Sequence, residues 1–198
     1  MRLFKHDGYQ HYRNAQIRVN KKKLKLGYSW VTIEEVKFLS DYIRKMIPDV
    51  KKGLCHGVRN GDEVRWFEDF LGIDVIGTDI SPTIKSLGGM VWDFHDINPK
   101  WTNSFDFVYS NSLDHAYDPE KAIRAWVDSI SYRGIVIVQW TGNGSVLKCN
   151  EVDCFSASFE EYKEFFSKCG YFNEVVKSDI HIWGHLVYWF VLGKRIKI

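Results

Sequence analysis

The chain predicts an α/β protein of three layers: a doubly wound, mostly parallel sheet of seven strands between helices, closed by a C-terminal antiparallel β-hairpin. Three observations carry this. Short apolar runs alternate with amphipathic stretches of helical length between residues 33 and 169. The runs Phe105 to Tyr109, FDFVY, and Gly134 to Trp140, GIVIVQW, have the largely apolar character of strands covered on both faces. The last two β-rich runs, 171–176 and 185–192, have no helix between them and must pair antiparallel.

The elements follow in order. Residues 1–31 read as a basic arm ahead of a single domain, 32–198. Thr32 and Glu35 have the spacing of a capping box, and the helix they open, 33–47, stops ahead of Pro48 with Val36, Leu39, Ile43 and Met46 or Ile47 on one face. A strand at 51–56 leads into a loop at 57–61, a helix at 62–71 and a strand at 74–79. Ser81 and Pro82 begin a short helix at 82–87, and strands follow at 90–94 and 105–109. The helix from Pro119 to Ile130 turns Ala122, Ile123, Trp126 and Val127 inward. After the strand at 134–140, residues 141–153 read as a loop, and the helix 158–169 is capped by Gly170.

Composition bounds function. With 198 residues, 45% hydrophobic and 26% charged, the chain can close its own core as one domain. No apolar run approaches the ~20 residues of a membrane span, and the N-terminus lacks a signal-peptide pattern, so a cytoplasmic protein is expected. Cys55, Cys149, Cys154 and Cys169 form no C-x-x-C pair. With His181 and His185 they make a poor zinc set, and no metal is expected. Residues 1–30 carry +7, leaving −5 for the rest of a chain whose total is +2. A basic arm can attract a phosphate-rich partner such as RNA, but a solvated segment is the favoured reading.

The most informative stretch is Gly53 to Asp79. A glycine-containing loop and a helix lead to a strand ending in an acid, with Asp79 22 positions after Gly57. That gap brings a carboxylate back beside the loop, where it can accept hydrogen bonds from a ribose; a helix N-cap after the strand is its alternative role.

Taken together these features resemble the class I S-adenosylmethionine-dependent methyltransferases, closest in pattern to the small-molecule "type 11" group. The resemblance covers about residues 50–195 and is carried by Cys55-His-Gly-Val-Arg-Asn-Gly61 with Glu63, by Asp79 at the second strand end, by Trp92-Asp-Phe-His95, and above all by Ser104 to Pro119, SFDFVYSNSLDHAYDP. It implies S-adenosyl-L-methionine as cofactor and a small-molecule acceptor. On that pattern Gly57 and Gly61 present backbone amides to the methionine part, Asp79 holds the ribose, and Ile80 follows it. Asp93 accepts from the adenine amine while the Phe94 amide donates to a ring nitrogen, with Asp96 as the register-shifted alternative. Asn111 and Ser112 lie at the fourth strand end. His115, with Asp114, is the candidate base, since an imidazole titrates near neutrality; a structural role is the alternative. Two positions depart from the pattern. Cys55 stands where the family has an acid, so Glu63 or a water must meet the cofactor's amino group. Arg59 replaces the middle glycine and must accept glycine-like backbone geometry.

The Asn/Asp-Pro-Pro-aromatic motif of DNA amino-methylating relatives is replaced by Ser110-Asn-Ser-Leu113, which disfavours adenine or cytosine amino methylation, and no cysteine sits in a Pro-Cys context, which disfavours cytosine C5 chemistry. Tyr9, Tyr12, Tyr28 and Trp30, with the loop 141–153, are expected to cover the acceptor pocket or to brace that cover. A degenerate, non-catalytic domain and a nicotinamide-dependent oxidoreductase are the competing readings.

Overall fold

The structure, a computed structural model, describes residues 1–27, 29–141, 148–182 and 184–194, with backbone alone at 172 and 173. Its seven-stranded sheet is built from β2 (Lys52–His56), β3 (Asp74–Asp79), β4 (Met90–Val91), β5 (Phe105–Ser110), β6 (Ile130–Thr141), β8 (Phe172–Ile182) and β9 (His185–Leu192). The strand order is β4-β3-β2-β5-β6-β9-β8. β9 runs antiparallel to both β6 and β8, and the remaining pairs are parallel. Two short strands, β1 (Arg2–Leu3) and β7 (Phe155–Ser156), pair outside this sheet.

Strand alternation divides the core by face. On one face Val136, Val138, Phe190 and Leu192 meet Ala122, Ile123 and Trp126 of α4 (Pro119–Ser129) and Phe166 of α5 (Phe159–Cys169). On the other, Ile135, Ile137, Trp189 and Val191 meet Val36, Leu39 and Ile43 of α2 (Ile33–Met46) and Phe67 of α3 (Asp62–Leu71). The predicted capping box is present: Thr32 Oγ1 accepts from the Glu35 amide and Glu35 Oε2 from the Thr32 amide. Gly170 caps α5 at φ +78°.

Three expectations change. The N-terminal segment is not an open arm: residues Tyr9–Leu24 form helix α1, with Tyr12 and Ala15 buried against the body. β4 ends at Val91, because Asp93 folds back to accept the His95 amide and the chain leaves the sheet. β6 begins at Ile130 and runs past Gly134, where a Cβ would lie 2.8 Å from the Phe105 carbonyl oxygen.

Candidate active site

The carboxyl ends of the central strands open into a cavity of about 570 Å³. It lies where β2 has β3 on one side and β5 on the other, the reversal point at which such sheets take ligands. One stripe of α1, namely Tyr12, Gln16, Val19, Asn20 and Lys23, lines it at helical spacing.

The loop after β2 forms the floor. Gly57 has φ +74°, and a Cβ there would lie 2.6 Å from Ser112 Oγ, so both geometry and space require glycine. Arg59 takes φ +32°, a conformation that costs a side-chain-bearing residue about 1–2 kcal/mol. Its amide then donates to Asp79 Oδ2 at 3.0 Å, which offsets that cost. The Gly57 and Gly61 amides do not face the cavity as expected: they donate to the carbonyls of Thr78 at 2.8 Å and Val58 at 2.6 Å. The first bond braces the loop against β3, the second closes a turn within the loop, and Gly61 lies outside the cavity lining. Cys55 is fully buried beneath the loop, and burial pushes its thiol well above the usual range.

Glu63, in the first turn of α3, is 3% exposed and lines the cavity. Its Oε2 is buried with no hydrogen-bond partner among the described residues. Burial, reinforced by the charges of Asp62 and Asp79, pushes its carboxyl up to about 8 despite Arg59.

Asp79 ends β3 and is 4% exposed. Oδ1 accepts from the Ser81 amide at 2.7 Å and Asn20 Nδ2 at 2.9 Å. Oδ2 accepts from the Arg59 amide at 3.0 Å and from the same Asn20 Nδ2 at 3.0 Å. Burial still raises its carboxyl above the ordinary value, against the pull of these donors. Ile80 continues the wall.

Asp93 is held differently. Oδ1 meets the His95 amide at 3.0 Å and His95 Nδ1 at 2.6 Å, while Oδ2 accepts from the Tyr9 hydroxyl at 2.8 Å. Burial would raise this carboxyl, but the bonds and charge of His95, with Tyr9, hold it below its usual range. Phe94 lines the cavity, its carbonyl accepting from Trp126 Nε1 at 3.0 Å and its ring edge-on to Trp126. His56 stacks on Trp126, and burial drives its imidazole down to about 3, so it is neutral at physiological pH. Asp96 pairs with Lys121 at 2.8 Å and lies outside the cavity lining that holds Asp93.

The far end gathers Asn111, Ser112, Asp114 and His115 from the β5 exit with Asn150, Val152 and Asp153 from the segment after β6. Ser112 Oγ donates to Asn111 Oδ1 at 2.9 Å and to the Gly57 carbonyl at 3.4 Å, which ties this exit to the glycine loop. His115 Nδ1 lies 2.9 Å from the Val152 carbonyl. A carbonyl only accepts, so Nδ1 carries a proton, and in the neutral ring Nε2 is left as the nitrogen with the lone pair. Asp114 Oδ1, buried and without a hydrogen-bond partner, stands 4.0 Å from Nε2. Burial raises the Asp114 carboxyl, and the His115 charge counters only part of it. One ligand atom each of Asp114, His115 and Asp153 falls within 4.8 Å of the others. That is a donor set which could hold a hard divalent cation, although both acids are about half exposed. Trp30 and Trp140 also line this end. Tyr28 and residues 142–147 of the predicted cover lie outside the described residues.

No protein-family model matches the sequence, and no curated protein sequence matches it. Solved structures do. The sugar N-methyltransferase KedS8 from a Streptoalloteichus species superposes with a TM-score of 0.62 at 13% identity, covering 85% of this chain and 90% of its own. A TehB-like SAM-dependent methyltransferase from Corynebacterium glutamicum gives 0.60 at 18% identity, over 94% of this chain and 99% of its own. The chain has the class I methyltransferase fold. That fold alone does not fix a reaction: the [4+2]-cyclase SpnF shares it at a TM-score of 0.57 and 13% identity, over 78% of this chain and 79% of its own.

Within the class I fold, the expected residues Gly57, Glu63, Asp79, Ile80, Asp93, Phe94, Asn111, Ser112, Asp114 and His115 all line one cavity. Sequence reading missed Gln16, Asn20 and Asp153. Only their helical or loop spacing relative to Tyr12 and Cys154 was available as a signal.

Proposed function

We propose that this protein transfers a methyl group from S-adenosyl-L-methionine to a small-molecule acceptor. The observation that carries the reading is Asp79: a buried carboxylate at the β3 end, beside the glycine loop and at the reversal point of strand order. The residues present fit the cofactor. Asp79 would hold the ribose hydroxyls, Asp93 the adenine amine and the Phe94 amide a ring nitrogen, with Ile80 on the adenine wall. Gly57 leaves room where a side chain would collide, and the unpartnered Oε2 of Glu63 offers an acceptor for the ammonium group, whose positive charge would favour release of the Glu63 proton. The sulfonium supplies the activated methyl group. The chain's own share is alignment and exclusion of water. His115 Nε2 can hold or accept a proton at the acceptor atom, with Asp114 beside it. Asn111 and Ser112 position the β5 exit between the two halves.

We take residues 32–198 as the catalytic domain and 1–31 as an appended cover. Four free cysteines and the absence, among described residues, of a helix long and apolar enough to cross a membrane support a cytoplasmic placement. RNA binding through the lysines of α1 is not favoured. The buried Cys55, where an acid is usual, motivates the second reading, a domain of this fold that has lost the cofactor.

Thermal melting separates these. S-adenosylhomocysteine at about a hundred times its Kd should add about 2.7 kcal/mol, or roughly 5–10 °C for a domain of this size. An unchanged Tm at millimolar cofactor favours the degenerate domain, and a rise with NAD alone favours an oxidoreductase.

A further inference from the structure

We propose that the C-terminal half of helix α1 is an internal competitor for the cofactor, with Asn20 standing where the ribose must bind. This inference rests on the proposed reading of the site. A carboxylate offers about four acceptor positions. At Asp79 all four are taken: two by Asn20 Nδ2 and one each by the Arg59 and Ser81 amides. The two backbone donors belong to the loop and to the turn that follows β3, so neither can leave without unmaking the floor of the site. Asn20 is a side chain, and it is the donor that can go. Asp93 makes the contrast. Its Oδ2 has one partner, Tyr9, and keeps a position for the adenine amine.

The helix is built to swing at this end. Its first half is anchored by Tyr12, 2% exposed and packed on His95 and Tyr117, and by the fully buried Ala15. Its second half is partly exposed and carries Lys21, Lys22 and Lys23 in the last turn. Gln16 Nε2 donates at 2.8 Å to the Val152 carbonyl, the same oxygen that orients His115.

Calorimetric titration with S-adenosylhomocysteine, on the wild-type chain and the Asn20→Ala and Asp79→Asn variants, tests this. Alanine keeps the helix intact, so Asn20→Ala should bind about tenfold more tightly than wild type. In the wild type, amide exchange over residues 16–24 should rise on saturation. Asn20→Ala binding no tighter than wild type, or residues 16–24 gaining protection with ligand, overturns the competitor while leaving the site intact. If Asp79→Asn binds like wild type, or no form binds, the reading of the site falls and the competitor with it.

Discussion

The two ends of the cavity are built to different standards. At the β3 and β4 end, Asp79 and Asp93 are buried and receive seven hydrogen bonds between them, from backbone amides and from side chains fixed in helices or core. At the β5 and β6 end, Asp114 Oδ1 has no hydrogen-bond partner, Asp153 is about half exposed, and His115 rests on one carbonyl. A carboxylate fixed by backbone amides keeps its position and suits a ligand group that never changes. Groups with unused acceptors in a roomier setting can meet acceptors of different shape.

The sharpest way to break this comparison is at Asp79. Asp79→Asn removes the charge and one acceptor oxygen. Two hydrogen bonds to a charged group contribute about 1.5–3 kcal/mol each, so affinity for S-adenosylhomocysteine should fall by about a hundredfold or more. Calorimetry that finds a loss under tenfold would remove Asp79 from the ribose role.

Next in size is the proton on Glu63. Its carboxyl is pushed up to about 8 in the folded chain from an ordinary 4.5. Between those values the folded state binds more protons than the unfolded one, so stability falls as pH rises from about 4.5 to 8 and levels off above. The span corresponds to a loss on the order of a few kcal/mol. Glu35, buried and also pushed up to about 8 by burial, adds a fall of the same sign. Urea denaturation at pH 5 and pH 8 should therefore show Glu63→Gln losing clearly less stability than wild type across that interval. Equal losses would mean that Glu63 is ionised throughout.

How far the sequence foretold this difference depends on what each segment packs against. α2, α3, α4 and α5 were legible because each lays an apolar stripe on the sheet, and Thr32, Glu35 and Gly170 marked their ends. α1 was not. Its inner stripe, Tyr12, Gln16, Val19, Asn20 and Lys23, is mostly polar because it covers a cavity and not a core, so its lysines read as a solvated arm. Asp79 could be placed by its distance from Gly57, since a βαβ unit returns that residue to the loop. The donors that fill it could not, since Asn20 lies 59 positions away. The glycine loop misled in one detail: its spacing suggested amides turned to a ligand, whereas Gly57 and Gly61 spend theirs on the Thr78 and Val58 carbonyls. The loop 141–153 was expected over the acceptor pocket, but nothing in the spacing of Asp114, His115 and Asp153 announced which of its residues would join them.

The smallest expected change falls at the looser end, and it separates binding from chemistry. His115→Ala should leave S-adenosylhomocysteine affinity within about twofold, because the donors to Asp79 and Asp93 include none from this residue. Transfer of labelled methyl from S-adenosyl-L-methionine to the low-molecular-mass fraction of a cell extract should fall by about a hundredfold if Nε2 takes the acceptor's proton. His115→Gln distinguishes that role from support. Its amide can still donate to the Val152 carbonyl and hold the segment after β6, but it cannot take a proton. Recovery of transfer in the glutamine variant would make His115 a brace. Equal loss in both variants, with the acidic limb of the wild-type pH–rate profile gone, would make it the base. An affinity loss in either variant as large as that of Asp79→Asn would join the two ends into one unit and end the comparison.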